Sequence, residues 1–421
     1  MGMIQEFFAK IGDIIDDALG KITDSVIIKS MIKVGVVFLL VIIIVLMFAS
    51  CSKPRTYSYE EFLAKMVSIT KTKYKDSDKL PKNDKESITV QLQSFVDDET
   101  IKPIEEMLTS GATCTGEIKI INNNGYYLYL PTLDCGDKYK TTTIYDKLIN
   151  ETNVVNQGNG LYSIDNAFVY RGESVKNYLS LAGKLFRIIR VNGDGTIRLV
   201  DTSKRDTIVW DNRYNVDVRY GDGINTYFVN GINSRIKDNV ENYYRNTITN
   251  DYKPFFTTQE ICVGKRSLSD DIFNTSIECS ETIDNFPFGL MYPYEYYLAS
   301  LDESCKTIKS ASCRNYNYIS RMANSRTIWT MTGDKDSSYN VFKISNVGAS
   351  LAKASANNAP LITAQISGDL LFNGGNGTEK DPYTVKTFVE TKKKKWWLSH
   401  HFFNIHIPKL RYILYRTYKN Y

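Results

Sequence analysis

Six cysteines constrain this chain more than any other feature. Cys114, Cys135, Cys262, Cys279, Cys305 and Cys313 form three sequential couples with 20, 16 and 7 residues between their members. No CxxC occurs, and the first 399 residues hold no histidine. A zinc site would therefore need four cysteines from remote segments, whereas bridges between nearest neighbours need only local loops. The spacing favours three such disulfides, although other pairings of six cysteines stay formally open. Disulfides persist outside the cytosol, so the bulk of the chain is expected to be extracytoplasmic.

Between Lys33 and Lys53 run nineteen residues without a charge. As a helix they measure about 28 Å, close to the ~30 Å hydrocarbon core of a bilayer. The expectation is one transmembrane helix over 34–52. The run is longer than the apolar region of a signal peptide and some thirty residues precede it, which favours an uncleaved anchor. A lipidated Cys51 is the rival reading, because Ala49 and Ser50 are small, but Phe48 is bulky where leucine is usual. Upstream, Ile4, Phe7, Phe8, Ile11, Ile14, Ile15, Leu19, Ile22 and Val26 recur at helical spacing. Residues 1–33 are therefore read as a cytoplasmic amphipathic helix suited to self-association. Lysines and arginines flank the span equally, so the cysteines set the orientation: a cell membrane, single-pass, with the C-terminal part outside.

The absence of histidine from the main body excludes Ser-His-Asp and Cys-His nucleophile systems there, along with histidine-ligated metals. Ser68-Ile69-Thr70-Lys71 matches S-x-x-K, but this loose pattern lies on a juxtamembrane helix that offers no pocket. Of the net charge of +5, eight lysines and arginines lie in 392–421 without an acid, so the remainder carries −3. That balance argues against nucleic-acid binding. No catalytic residue, cofactor or metal ligand is assigned, and an enzyme is not expected.

Downstream of the span, 53–86 reads as a juxtamembrane helix and linker. Ser58 and Glu61 form a capping box, Phe62, Met66 and Ile69 follow at helical spacing, and 71–85 is rich in lysine and aspartate. Region 87–150 reads as a small cysteine-paired module. It has a strand over 88–92, a helix carrying Ile101, Ile104, Met107 and Leu108 and closed by Gly111, and a hairpin turning at Asn123-Asn124-Gly125. Region 165–388 shows a second hairpin around Gly193-Asp194-Gly195, a helix over 234–249, a shorter one from Pro293, and strands over 327–331, 341–347, 361–366 and 383–386. The class is α+β. The glycine-rich stretches, Gly221-Asp222-Gly223 and Gly374-Gly375-Asn376-Gly377 included, lack the spacing of calcium or phosphate loops and read as turns. Aromatic residues are the remaining binding candidates: Trp210, Tyr292, Tyr294 and Tyr296 could stack on a sugar ring or anchor a protein, with core packing as the rival reading. Trp329, in an apolar strand, reads as core.

The stretch TCTGEIKIINNNGYYLYLPTLDCGDKYKT resembles a short cysteine-paired module found beside prepilin-like segments in exported proteins of low-GC Gram-positive bacteria. The pieces YRGESVKNYLSLAGKLFRIIRVNGDGTIRLV, NSRIKDNVENYYRNTI, FPFGLMYPYEYYLAS, TIWTM and NGGNGTEKDPY resemble an uncharacterised exported domain often found with it. The resemblance implies a C-type-lectin-like, or sulfatase-activator-like, α+β domain on a bacterial surface, with no established activity. Two departures stand out. The N-terminus lacks the Gly-Phe-Thr-Leu-Ile-Glu pattern of prepilins, and Asn358-Ala359-Pro360-Leu361 stands where relatives tend to show Arg-Pro-Val. The segment 391–421 follows the point where those domains stop. It is either a basic aromatic tail for anionic membrane or wall polymer, or the product of a slipped reading frame at the four lysines.

The sequence thus predicts a single-pass cell-surface protein whose non-catalytic extracellular domain binds a glycan or protein ligand. A structural subunit of an envelope or pilus-like assembly is the alternative.

Overall fold

The computed structural model describes residues 55–388, apart from 76, 151–152, 214–221 and 324–325, together with 35, 38, 39 and 42. The expected amphipathic helix over 1–33 and the tail 391–421 lie outside the described residues. Of the expected span only Gly35, Phe38, Leu39 and Ile42 are described, and they are helical. Among the described residues no helix is long and apolar enough to cross a membrane.

Contacts divide the chain into a small unit, 1–62 with 102–112, and a large one, 63–101 with 113–421. In the small unit the capping box forms as the sequence predicts. Ser58 N–H donates to Glu61 Oε2 at 3.0 Å and Glu61 N–H donates to Ser58 Oγ at 3.3 Å, satisfying two donors that a helix start leaves orphaned. Tyr57 N–H reaches Met107 O at 2.8 Å, and Thr109 N–H returns to Tyr57 O at 2.9 Å. The helix opened by this box, Tyr59–Tyr74, extends into what the sequence suggested was linker. Lysine and threonine do not break a helix that buries Leu63, Met66 and Val67 on one side. The helix expected around Ile101 to Leu108 is shortened to Ile104–Met107, and a separate short helix, Gln93–Asp97, precedes it. Pro103 explains the late start, because it has no N–H to donate and drives the residue before it out of the helical region, which leaves Ile101 outside the helix.

The large unit is strand-rich. Its first sheet has three antiparallel strands, Ser87–Gln91, Thr115–Asn123 and Tyr126–Asp134, in sequence order. Asn123 faces Tyr126 across the turn. Asn124 and Gly125 both take positive φ, 52° and 82°, the backbone that a two-residue hairpin of this twist requires. The second sheet has eight strands. Its main path runs Phe288–Leu290, Ile362–Ser367, Thr196–Asp201, Lys184–Val191, Ala167–Arg171, Gly160–Ile164; off this path Tyr178–Leu181 pairs with Lys184–Val191 and, in parallel, with Tyr383–Thr384. The hairpin at Gly193-Asp194-Gly195 joins two of these strands. Asp194 Oδ1 accepts from the N–H and hydroxyl of Thr196 at 2.9 and 2.6 Å, so this glycine stretch is a turn. A third sheet of five strands runs Gly348–Lys353, Asn340–Ser345, Ile328–Gly333, Asn357–Pro360, Ile208–Val209, with one parallel pair between Ile328–Gly333 and Asn357–Pro360.

One buried cluster joins these layers, including Phe186, Ile188 and Leu199 from the large sheet, Trp329 and Phe342 from the five-stranded one, and Ile236 and Val240 from the helix Arg235–Thr247. Ile121, Leu128, Ile144 and Leu148, which the sequence placed in a separate small module, belong to the same cluster. The stretch between the two expected domains contributes the strand Gly160–Ile164. The three disulfides pair nearest neighbours: Cys114 with Cys135, Cys262 with Cys279, and Cys305 with Cys313.

Candidate functional site

The four aromatic candidates do not reach solvent. Trp210 and Tyr296 are fully buried, and Tyr292 and Tyr294 are 6% and 7% exposed. Trp210 Nε1 donates to Thr330 O at 3.1 Å, and its ring packs 5.9 Å from Tyr227. Tyr292 stacks on Tyr294 with centroids 5.4 Å apart, and the Arg198 guanidinium lies 5.0 Å from the Tyr292 centroid. The reason for this burial is local. The helix Pro293–Leu298 is buried at all six positions, and its Glu295 forms an ion pair with Arg198 while accepting the Tyr292 N–H at 2.8 Å. With no exposed face, Tyr-Glu-Tyr-Tyr carries no alternation that would have revealed its packing. The expectation that these rings meet a ligand is therefore corrected: they are core. Trp329 is core as well, with Nε1 donating to Ile208 O at 2.9 Å. The S-x-x-K lysine is also committed elsewhere, since Lys71 Nζ donates to Phe388 O at 2.9 Å.

A cleft of about 700 Å³ opens elsewhere in the large unit. Its charged lining consists of Arg187, Lys204, Arg205, Arg321 and Arg326 against Glu173, Asp201 and Glu379, five positive and three negative groups, or +2. Asp201 closes the strand Thr196–Asp201 and fixes one wall. It is buried, accepts Ser203 N–H at 2.7 Å and Tyr243 Oη at 2.5 Å, and pairs with Arg205 at 2.6 Å. The Arg205 guanidinium lies 3.7 Å from the Tyr243 ring centroid, so both its charge and its plane are held. Arg326 Nη1 donates to Arg205 O at 3.3 Å. Among the described residues, neither Arg326 nor Lys204 forms an ion pair.

Arg187 comes from the large sheet and sits between two rings, 4.5 Å from Tyr178 and 4.4 Å from Tyr318. Its Nε donates to Asn177 Oδ1 at 2.8 Å. Burial pulls its pKa down, while Tyr318, Tyr178 and Glu379 pull it up. A guanidinium stays charged under such opposition, so the cleft holds a fixed, partly desolvated cation.

A second recess of about 680 Å³ shares Glu173 and Arg321 with the cleft. These two residues form an ion pair with each other. The rest of its lining is Asp302 and Arg314 to Tyr316, from the segment around the Cys305–Cys313 bridge, with Ser320 and Asn346. Asp302 accepts Asn315 Nδ2 at 2.7 Å and Ser304 N–H at 2.9 Å, and these hydrogen bonds, the Asn315 one foremost, lower its pKa.

Among the described residues no group of three or more histidines, cysteines, aspartates or glutamates converges to hold a metal. The arrangement can attract an anion, orient it by planar guanidinium hydrogen bonds, and release it. The sequence reading missed Arg187, Arg205, Arg321 and Arg326. The charge run Ser203-Lys204-Arg205-Asp206 was the only local hint, and it looks like any solvated loop. Comparison with protein-family models, with curated proteins and with solved structures finds no match for this chain.

Proposed function

We propose that this chain is a single-pass, membrane-anchored cell-surface protein whose extracytoplasmic part binds a polar, anionic ligand in the cationic cleft without transforming it. The observation that carries this reading is the cleft's charge of +2 in a chain whose residues before Lys392 sum to −3. A local excess of the opposite sign, in a low-dielectric concavity, draws an anion to that place rather than to the surface at large. Three disulfides support an oxidising compartment, and the uncharged run at 34–52 supports the anchor. A large, mostly antiparallel sheet with disulfide-closed connections supports a C-type-lectin-like reading of 165–388, in keeping with the resemblance to exported domains of low-GC Gram-positive bacteria.

The test uses the full-length protein in a non-ionic detergent, titrated with inorganic polyphosphate. Saturable binding that weakens as salt rises is expected, because counterion and charge screening act on such contacts. Lys204→Ala combined with Arg326→Ala should weaken it about tenfold, equivalent to about 1.4 kcal/mol. Neither residue forms an ion pair among the described residues, so the fold should tolerate both changes. Absence of saturable binding, or an affinity indifferent to the double substitution, would remove the proposal.

A further inference from the structure

Tyr316, unlike those four rings, faces solvent. It lines the second recess and is 60% exposed, among the most exposed large side chains described. Its backbone has φ of 47°, in the left-handed region that a bulky residue avoids. Core packing does not account for a side chain this exposed, so an energetic cost of roughly 1 kcal/mol or more is carried with little burial to offset it.

The surrounding chain holds this conformation firmly. Ser300 Oγ donates to the carbonyl of Asn315 at 2.9 Å, and Leu301 N–H donates to the carbonyl of Tyr316 itself at 3.3 Å. On the far side, buried Asn317 donates to Tyr296 O and Cys313 O, both at 2.8 Å, and its Oδ1 accepts Ile319 N–H at 2.9 Å as the cap of the helix Tyr318–Met322. The Cys305–Cys313 bridge closes the loop just before it. With its backbone held this way, the residue has less chain freedom to lose when something stacks on its ring.

The recess around Tyr316 differs in character from the cleft. Arg314 and Arg321 balance Glu173 and Asp302, and the other lining groups are amides and a hydroxyl. Charge balance, short polar side chains and one exposed ring suit a hydroxylated, uncharged ring face, whereas the adjoining cleft suits an acid. The two spaces meet at the Glu173–Arg321 pair.

We infer that Tyr316 is a stacking platform for a sugar ring, and that the ligand of this protein is an acidic oligosaccharide which lays a ring on Tyr316 while its acidic groups enter the arginine cleft. This rests on the anion-binding reading of the cleft and adds the chemical class of the ligand. Tyr316 makes its contribution by contact with the ring face, and the amides and hydroxyl of Asn315, Asn346 and Ser320 answer the sugar hydroxyls.

Two probes separate the inference from the reading beneath it: oligogalacturonate, whose acid groups sit on rings, and polyphosphate, which has none. Full-length protein in detergent is titrated with each. Tyr316→Ala should lower oligogalacturonate affinity about tenfold and leave polyphosphate affinity unchanged, while Tyr316→Trp should keep both. An unchanged thermal midpoint shows that the exposed site was altered without unfolding. If Tyr316→Ala leaves oligogalacturonate binding intact, or if the wild-type protein takes polyphosphate but not oligogalacturonate, the stacking role is wrong and the cationic cleft stands. If neither polymer binds, both fall.

Discussion

Arg266 is wholly buried, and each nitrogen of its guanidinium donates a hydrogen bond. Nε and Nη2 meet Glu278 at 2.9 Å each, Nη2 also reaches Asn274 O at 2.7 Å, and Nη1 reaches Asp271 O at 2.7 Å. Glu278 is 1% exposed and accepts in addition from Thr332 Oγ1 at 3.1 Å. Such a pair contributes little net energy while complete, because desolvation offsets the attraction; removing one partner strands a charge. Glu278→Ala is therefore expected to cost about 3–5 kcal/mol, read as a shift in the urea midpoint with disulfides intact. Arg321→Ala, which breaks an ion pair with the arginine 68% exposed, should cost at most about 1 kcal/mol. A similar loss from both would show that burial does not set the value of these pairs.

Among the elements, the first hairpin shows how local rules and a covalent staple reinforce each other. Its turn residues supply the positive φ values, its strands pair in full register from Thr115–Asp134 to Asn123–Tyr126, and Cys114 and Cys135 close its open end across a separation of 21 residues. The chain-entropy estimate for a loop of that size is about 3 kcal/mol. Replacing both cysteines by serine should remove about that much, measured as lower resistance to denaturant. No change would mean that the unfolded chain already holds these ends together. At the same scale, the helix Pro293–Leu298 is set by what surrounds it. Arg198, from the middle of the large sheet, donates to Gln259 Oε1 at 2.8 Å and Leu290 O at 3.0 Å besides pairing with Glu295, and thereby fixes a segment whose own sequence has no amphipathic period.

Across the whole molecule, buried tyrosines make the fold sensitive to alkali. Burial pushes Tyr292 and Tyr296 up to about 12, and drives Tyr294, Tyr297 and Tyr318 up as well. In the unfolded chain these groups lose their protons near 10. Above that pH the unfolded state therefore binds fewer protons than the native one, and stability falls as pH rises. The contribution is intact below about pH 10 and is lost progressively as pH rises towards about 12. Thermal midpoints should stay level up to about pH 9.5 and then drop steeply. A flat profile through pH 11 would show that these hydroxyls reach water.

What the sequence determined by itself was whatever closes within a few residues or a short loop. The Ser58–Glu61 box, the Asn124-Gly125 turn, the helix carrying Ile236 and Val240, and three nearest-neighbour disulfides all follow from side chains and backbone preferences acting at short separation. Only the tertiary structure decided which aromatic rings are buried and where the cations gather. Arg187, Arg205, Arg326 and Glu379 meet in one cleft although almost two hundred positions separate the first from the last. Likewise Tyr292 and Tyr316, chemically the same and close in the chain, differ because one lies under a buried arginine and the other on a braced loop. Local rules read the neighbours along the chain; burial and charge depend on neighbours in space.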